Sequence, residues 1–113
     1  TYINECADME NVLFLGIFTK NQQHIGNIKY ESIDHNSKTA VMGILIGNIK
    51  WRGKGVASEV IRDSGKYLAK KFDVKNIFLG VDKENKAAIV AYNKVGFKII
   101  SQNGNAIKMV WKV

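Results

Sequence analysis

Proline is absent from all 113 residues, cysteine occurs once, at Cys6, and histidine only twice, at His24 and His35. Without proline there is no proline-rich linker, and no repeat or low-complexity tract interrupts the chain. A single cysteine cannot close an internal disulfide, which fits a reducing, cytoplasmic setting. Cys6 lies outside any pattern with histidine and acid partners, so it reads as a spare thiol rather than a nucleophile. The two histidines have no metal-ligand spacing to each other or to Cys6, and no metal is expected. No apolar run is long enough to span a bilayer, and no secretory leader pattern opens the chain. The chain starts on Thr1 without methionine, as a processed or trimmed chain would.

What is present is a chain that is 46% hydrophobic, enough for one core and too short for two, so residues 1–113 are expected to form a single domain. Seventeen Lys and Arg against ten acids leave a formal charge of +7. Such a field draws nucleic acid, anionic membranes or phosphorylated small molecules and is silent on fold. The cations are scattered, at Lys50, Arg52, Lys54, Lys66, Lys70, Lys71, Lys83, Lys86 and Lys94. A dispersed set suits a compact polyanion at least as well as a long duplex.

The most informative segment is W-R-G-K-G-V-A-S-E, from Trp51 to Glu59, with an amphipathic helix pattern directly after it. A glycine-rich basic turn at a helix start offers backbone N–H groups, close approach and the positive end of the helix dipole, which is what a diphosphate requires. The spacing is neither a Walker loop nor a complete G-x-G-x-x-G, because Ser58 stands where the third glycine would be.

Around this segment the pattern gives strands at 11–18, 24–33 and 39–46, the last two forming a hairpin across Asp34-His35-Asn36-Ser37. The run at 11–18 is dense enough in apolar residues to read as a fully buried strand. Ala57, Val60, Ile61, Tyr67, Leu68 and Phe72 recur at helical spacing, with Glu59 in the first turn and Lys66, Lys70 and Lys71 near the end. Residues 76–82 read as another buried strand. A short helix from Lys86 to Val95 follows, opened by Asn85 as N-cap and stopped by Gly96. Strands at 97–102 and 106–113 flank Asn103-Gly104, a strong hairpin signal. The strand–helix–strand unit predicts that 39–46 and 76–82 lie parallel in a mixed α/β domain.

Arg52, Gly55 and Ala57 form one signature, and Asn85, Ala88, Tyr92, Lys94, Gly96 and Phe97 form a second. Together, in this order, they resemble the GNAT superfamily of acyl-CoA-dependent N-acetyltransferases over roughly residues 12 to 113. The resemblance implies a GNAT-like fold with a βαβ coenzyme-binding core and a C-terminal β-hairpin, and acetyl-CoA as co-substrate. It implies that the amides around Arg52, Gly53, Lys54, Gly55, Val56 and Ala57 cradle the pyrophosphate, with the Ser58 hydroxyl available. Strands 41–47 and 76–82 would splay so that the pantetheine arm lies between them, pairing with backbone near Leu45 and Ile46, while Asn85 bonds the arm. Tyr92 would stand near the sulfur as general acid, a role suited to a phenol that is neutral at pH 7. Asn85 serves equally well as a helix cap, and Tyr92 as a half-buried packing residue. Gly96 and Phe97 read as structural.

The chain departs from the family in two places. Members often carry a carboxylate on the third strand to deprotonate the amine, where this chain has Val41. The base is therefore open among His24, Tyr30, Glu31 and Asp82. Members also place a strand and one or two helices ahead of the strand at 11–18, whereas only about ten residues precede it here. That predicts an abbreviated front, an uncovered strand edge and a homodimer as its cover. Trp51 and Trp111 read as packing residues rather than a base-stacking platform.

The resulting expectation is an N-acetyltransferase acting on a primary amine of a small molecule, an amino sugar nucleotide or a polyamine-like acceptor. Net charge favours the anionic nucleotide sugar. A non-catalytic acyl-CoA-binding module, a ribosomal-protein-type N-terminal acetyltransferase and a basic nucleic-acid-binding domain are the competing classes. Steep salt dependence of duplex binding would mark the last. No membrane partner is expected.

Overall fold

The computed structural model describes residues 2–9, 11–46 and 55–113. Among these residues seven strands form one sheet: β1 (Tyr2–Met9), β2 (Val12–Phe18), β3 (His24–Asp34), β4 (Thr39–Ile46), β5 (Asn76–Asp82), β6 (Lys98–Asn103) and β7 (Ala106–Lys112). Helix α1 (Val56–Phe72) joins β4 to β5, and helix α2 (Lys86–Val95) joins β5 to β6. The strand order is β1-β2-β3-β4-β5-β7-β6. All neighbours are antiparallel except β4 and β5, which run parallel as a strand–helix–strand crossover requires. The mixed α/β architecture and the parallel pair agree with the sequence pattern.

Alternation along each strand sends one set of side chains toward the helices. Leu13, Leu15 and Ile17 on β2, Ile28 and Tyr30 on β3, Ala40 and Met42 on β4, Ile77 and Leu79 on β5, and Ile107, Met109 and Trp111 on β7 are all buried. Val60, Ile61 and Leu68 of α1 close the core from above. The opposite face carries Phe14, Val41, Phe78 and Val110, which are exposed or half-buried. The run at 11–18 is thus buried on one side only. Its apolar residues point both ways, and the described helices cover one face; Phe14 remains 38% exposed.

The first strand corrects the reading of the front. Tyr2–Met9 pairs antiparallel with β2 along its whole length, from Tyr2↔Phe18 to Met9↔Val12, with a bulge between Glu5 and Ala7. The edge of β2 is therefore covered within the chain and needs no second copy. The segment Y-I-N-E-C-A-D-M has no clean alternation, so only its pairing marks it as a strand.

Local chemistry fixes the turns. Asp34 accepts hydrogen bonds from the backbone N–H of Asn36 (2.8 Å) and Ser37 (3.3 Å), which holds its carboxyl below the usual range. The Lys38 carbonyl then accepts from the N–H of Lys75 (2.7 Å) and Asn76 (3.2 Å), tying this turn to the start of β5. Gly104, at φ 62, makes the tight β6–β7 turn that Asn-Gly announces.

Candidate functional site

The parallel pair carries the decisive geometry. β4 and β5 are matched at Thr39↔Asn76, Ala40↔Ile77 and Val41↔Phe78, and then their pairing stops. Both strands continue, β4 to Ile46 and β5 to Asp82. β4 stays with β3 as far as Gly26↔Ile46, and β5 stays with β7 as far as Asp82↔Ala106. The sheet therefore parts beyond Val41 and Phe78. Among the described residues, the facing backbone edges of 42–46 and 79–82 have no ladder partner, although each N–H and C=O is a strong hydrogen-bonding group. Leu45 and Ile46 lie on one lip, opposite Asn27 and Gly26 of β3.

Helix α1 is the next described element after β4. Gly55 is its N-cap at φ 76, a left-handed conformation that side chains resist, and space is open where its Cβ would stand. Among the described residues no side chain caps this end, and the first helical bond runs from the Glu59 N–H to the Gly55 carbonyl (3.1 Å). The N–H groups of Gly55, Val56, Ala57 and Ser58 thus have no acceptor within the helix and form an anion-receptive end. Arg52, Gly53 and Lys54, expected to join them, lie outside the described residues, as does Trp51. The Ser58 side chain is buried, and its hydroxyl donates to the Ala91 carbonyl of α2 at 3.3 Å. Its proton is used in latching the two helices; its main-chain N–H is the group left for a ligand.

Helix α2 is set by its caps. The exposed Asn85 side chain accepts from the Ala88 N–H at 3.3 Å, so the cap role is occupied in this structure. At the other end the N–H groups of Gly96 and Phe97 both donate to the Tyr92 carbonyl, at 3.2 and 3.1 Å, and Gly96 has φ 129. Phe97 folds back into the core. A row of rings follows: Tyr92 to Phe97 at 5.9 Å, and Phe97 to Trp111 at 5.7 Å. This row packs α2 onto β7 and holds the Tyr92 ring half-buried. Burial pushes the Tyr92 phenol up, and among the described residues its hydroxyl has no hydrogen-bond partner.

The residues left open as bases separate clearly. Tyr30 is fully buried, shares a hydrogen bond with the Ser64 hydroxyl at 2.7 Å, and has its phenol pushed far up by burial, so it is a core residue and no base. His24 is exposed, bonds Asn27 at 3.0 Å and stacks on Phe18 at 5.0 Å, at the outer end of β3. Asp82 accepts from the Glu84 N–H at 2.8 Å, far along β5 from Val41. Glu31 pairs directly with Val41 across the β3–β4 ladder. That adjacency follows from register, which spacing along a single sequence does not show.

An open groove of about 370 Å³ lies on the face away from the helices, lined by Val41, Phe78, Gly80, Ser101, Asn103 and Lys108 among others. Gly43 and Gly80 present open space where their Cβ atoms would stand, so the floor on both sides of the parting is low. Among the described residues no group of three or more metal-ligating side chains gathers, and no helix is long and apolar enough to cross a membrane.

Comparison with known proteins agrees with this geometry. Residues 2–98 match the acetyltransferase (GNAT) domain family. The uncharacterized N-acetyltransferase YobR of Bacillus subtilis is 44% identical over 57 residues, 50% of this chain and 23% of that protein. The chain thus spans about a quarter of the length of that relative. Among solved structures, spermidine N-acetyltransferase from Vibrio cholerae in complex with CoA and spermine superposes with a TM-score of 0.83 at 21% identity, over 91% of this chain and 66% of that one. Campylobacter jejuni N-acetyltransferase PseH gives a TM-score of 0.77 at 22% identity, over 92% and 70%. The parted parallel strands, the uncapped helix start and the match over 2–98 converge: this chain belongs to the GNAT acetyltransferase family.

Proposed function

We propose that this chain is an acetyl-CoA-dependent N-acetyltransferase that moves an acetyl group to a primary amine of a small molecule. The observation that carries the reading is the parting of β4 and β5 beyond Val41↔Phe78. Its unpaired backbone edges suit the amides of a pantetheine arm, which can pair with Leu45 and Ile46 on one side. The N–H groups of Gly55, Val56, Ala57 and Ser58, which have no acceptor within the helix, suit the pyrophosphate, and Arg52, Gly53 and Lys54 stand just before them in the sequence. Asn85 lies at the start of α2, where its amide can bond the arm while its oxygen keeps the cap. The half-buried Tyr92 phenol, without a hydrogen-bond partner among the described residues, supports a role as general acid to the departing thiolate.

The acceptor is an amino sugar carried on a nucleotide or a polyamine-like amine. The charge of +7 favours the anionic choice, and the spermidine acetyltransferases of the same fold keep the second in view. The chain works in the cytoplasm and forms a homodimer. The uncovered Phe14, Ile99 and Ile100 now support that assembly in place of the strand edge. Sedimentation across a dilution series tests it.

Val41, apolar where a carboxylate is common, favours a second reading as an acyl-CoA-binding module without turnover. Thiol release from acetyl-CoA with spermidine and a UDP-linked amino sugar separates the two. Release with either amine supports the enzyme. Calorimetric binding of coenzyme A with no release from any amine selects the module, and no binding at all overturns both.

A further inference from the structure

We infer that Glu31 is the general base of the reaction, taking the proton from the acceptor amine at the point where β4 and β5 part. The inference rests on the acetyltransferase reading above. An amine is largely protonated at neutral pH and cannot attack a carbonyl until it loses a proton, so a nearby base has work to do. Val41↔Phe78 is the last matched pair before the opening, so Val41 marks its closed end. Glu31 is the partner of Val41 on β3. Directly opposed residues have Cα atoms about 4.5–5.5 Å apart and present their side chains on the same face. The Glu31 carboxylate therefore stands over the closed end of the parting, on the face that the described helices leave open.

The surroundings suit a cationic acceptor. Next along the same face, Lys29 is opposite Gly43, where nothing stands within 4 Å of the absent Cβ. Room for an incoming amine thus lies beside Glu31 and above Val41. Both side chains of the Lys29–Glu31 ion pair (3.2 Å) are well exposed, so a bound ammonium can take the place of Lys29 at small cost. Among the described residues, the charged groups nearest this position on the same face are Lys29 on its own strand and, beyond β5, Lys108 over the Phe78 ring at 5.0 Å. β4 contributes Val41 and Gly43, and β2 contributes Phe14 opposite Lys29. A bulge follows at once, with Ser32 at φ 52 and pairing resumed only at Asp34↔Thr39, so the regular ladder ends on Glu31 itself.

Three other acids with described side chains are engaged or distant. Asp34 caps its own turn, and Asp73 is held by Lys38 (3.1 Å) and Lys75 (3.3 Å). Asp82 is four residues beyond Phe78, about 13 Å along the strand at 3.3 Å per residue. The step balances as follows. Glu31 accepts one proton from the ammonium and passes it to water. The neutral nitrogen attacks the thioester carbonyl, the C–N bond forms and the C–S bond breaks. The thiolate leaves with the Tyr92 proton, and the second proton from nitrogen restores Tyr92 through water.

The test compares the full chain with Glu31→Gln, which preserves shape and removes the basic oxygen. Thiol release with spermidine and a UDP-linked amino sugar is followed between about pH 6 and pH 10, alongside coenzyme A affinity by calorimetry and a thermal melt. The variant is expected to melt with the parent, bind coenzyme A equally, and lose about a hundredfold in kcat near pH 7. That deficit should shrink toward pH 10, where bulk solvent supplies the neutral amine. A variant as fast as the parent at pH 7, or a deficit constant across the range, overturns the role of Glu31 and leaves the acetyltransferase reading standing. A parent that binds coenzyme A and acetylates no amine removes both.

Discussion

The indole of Trp111 occupies the space that a side chain on Gly65 would fill. A Cβ at Gly65 would collide with the Trp111 ring and come within 3.3 Å of Ile77 Cδ1, all buried between α1 and the sheet. Trp111 is also the last ring in the row from Tyr92 through Phe97. Gly65→Ala is therefore expected to destabilise by about 1–3 kcal/mol, as overpacking of a rigid core does. Urea unfolding checks this, and a parent-like midpoint would mean that the ring can give way.

Tyr92→Phe keeps the ring and deletes a hydroxyl that has no partner among the described residues. Stability should stay within about 0.5 kcal/mol of the parent while kcat falls by about a hundredfold or more. Because burial raises the phenol's pKa, the parent should keep its activity past the ordinary phenol range near pH 10 before this proton is lost. Equal rates for variant and parent across pH would reduce Tyr92 to packing.

Gly55→Glu places an anion at the uncapped start of α1 and forces a side chain into a positive-φ position. Coenzyme A binding should vanish in calorimetry. Gly55→Ala carries the same backbone strain without the charge, and should fold less stably yet still bind. Equal binding by the Glu variant would remove this turn from the site.

Tyr30 offers a test in the alkaline range. Its buried phenol stays protonated in the folded chain well above the pH at which the unfolded chain loses that proton, about 10. The unfolded state then binds fewer protons, so stability is fully present below about pH 10 and declines as pH rises beyond it. Tyr30→Phe should flatten that decline while costing about 1 kcal/mol at neutral pH for the lost bond to Ser64. Denaturant midpoints from neutral pH to about pH 11 give the comparison.

Much of this arrangement is legible in the amino-acid sequence. Apolar periodicity located α1 and α2, Asn-Gly located the last hairpin, and the strand–helix–strand order required the parallel pair that opens the site. Two things were not readable, for different reasons. Residues 2–9 form a strand because β2 offers them a partner, and a pairing between segments leaves little trace in the segment's own pattern. The closeness of Glu31 to Val41 depends on how many residues the turn at 34–39 absorbs, and a slip of one would send every side chain to the other face. Phe14 shows the converse: its apolarity suggested burial, but exposure depends on what lies against the sheet.

Three residue pairs joining β4 to β5 make the sheet two leaves on a short spine, β1–β4 on one side and β5, β7 and β6 on the other. Helix α1 bridges them, touching the first leaf through Ser64 and Tyr30 and the second through Gly65 and Trp111. A molecule lodged in the gap would act as mortar between the leaves, bonding to both at once. A ligand that binds only the folded chain adds about 2.7 kcal/mol at a hundredfold excess over its Kd. Amide protons lining the two free edges would then exchange in concert rather than leaf by leaf, and the cohesion of the whole domain would track the supply of coenzyme.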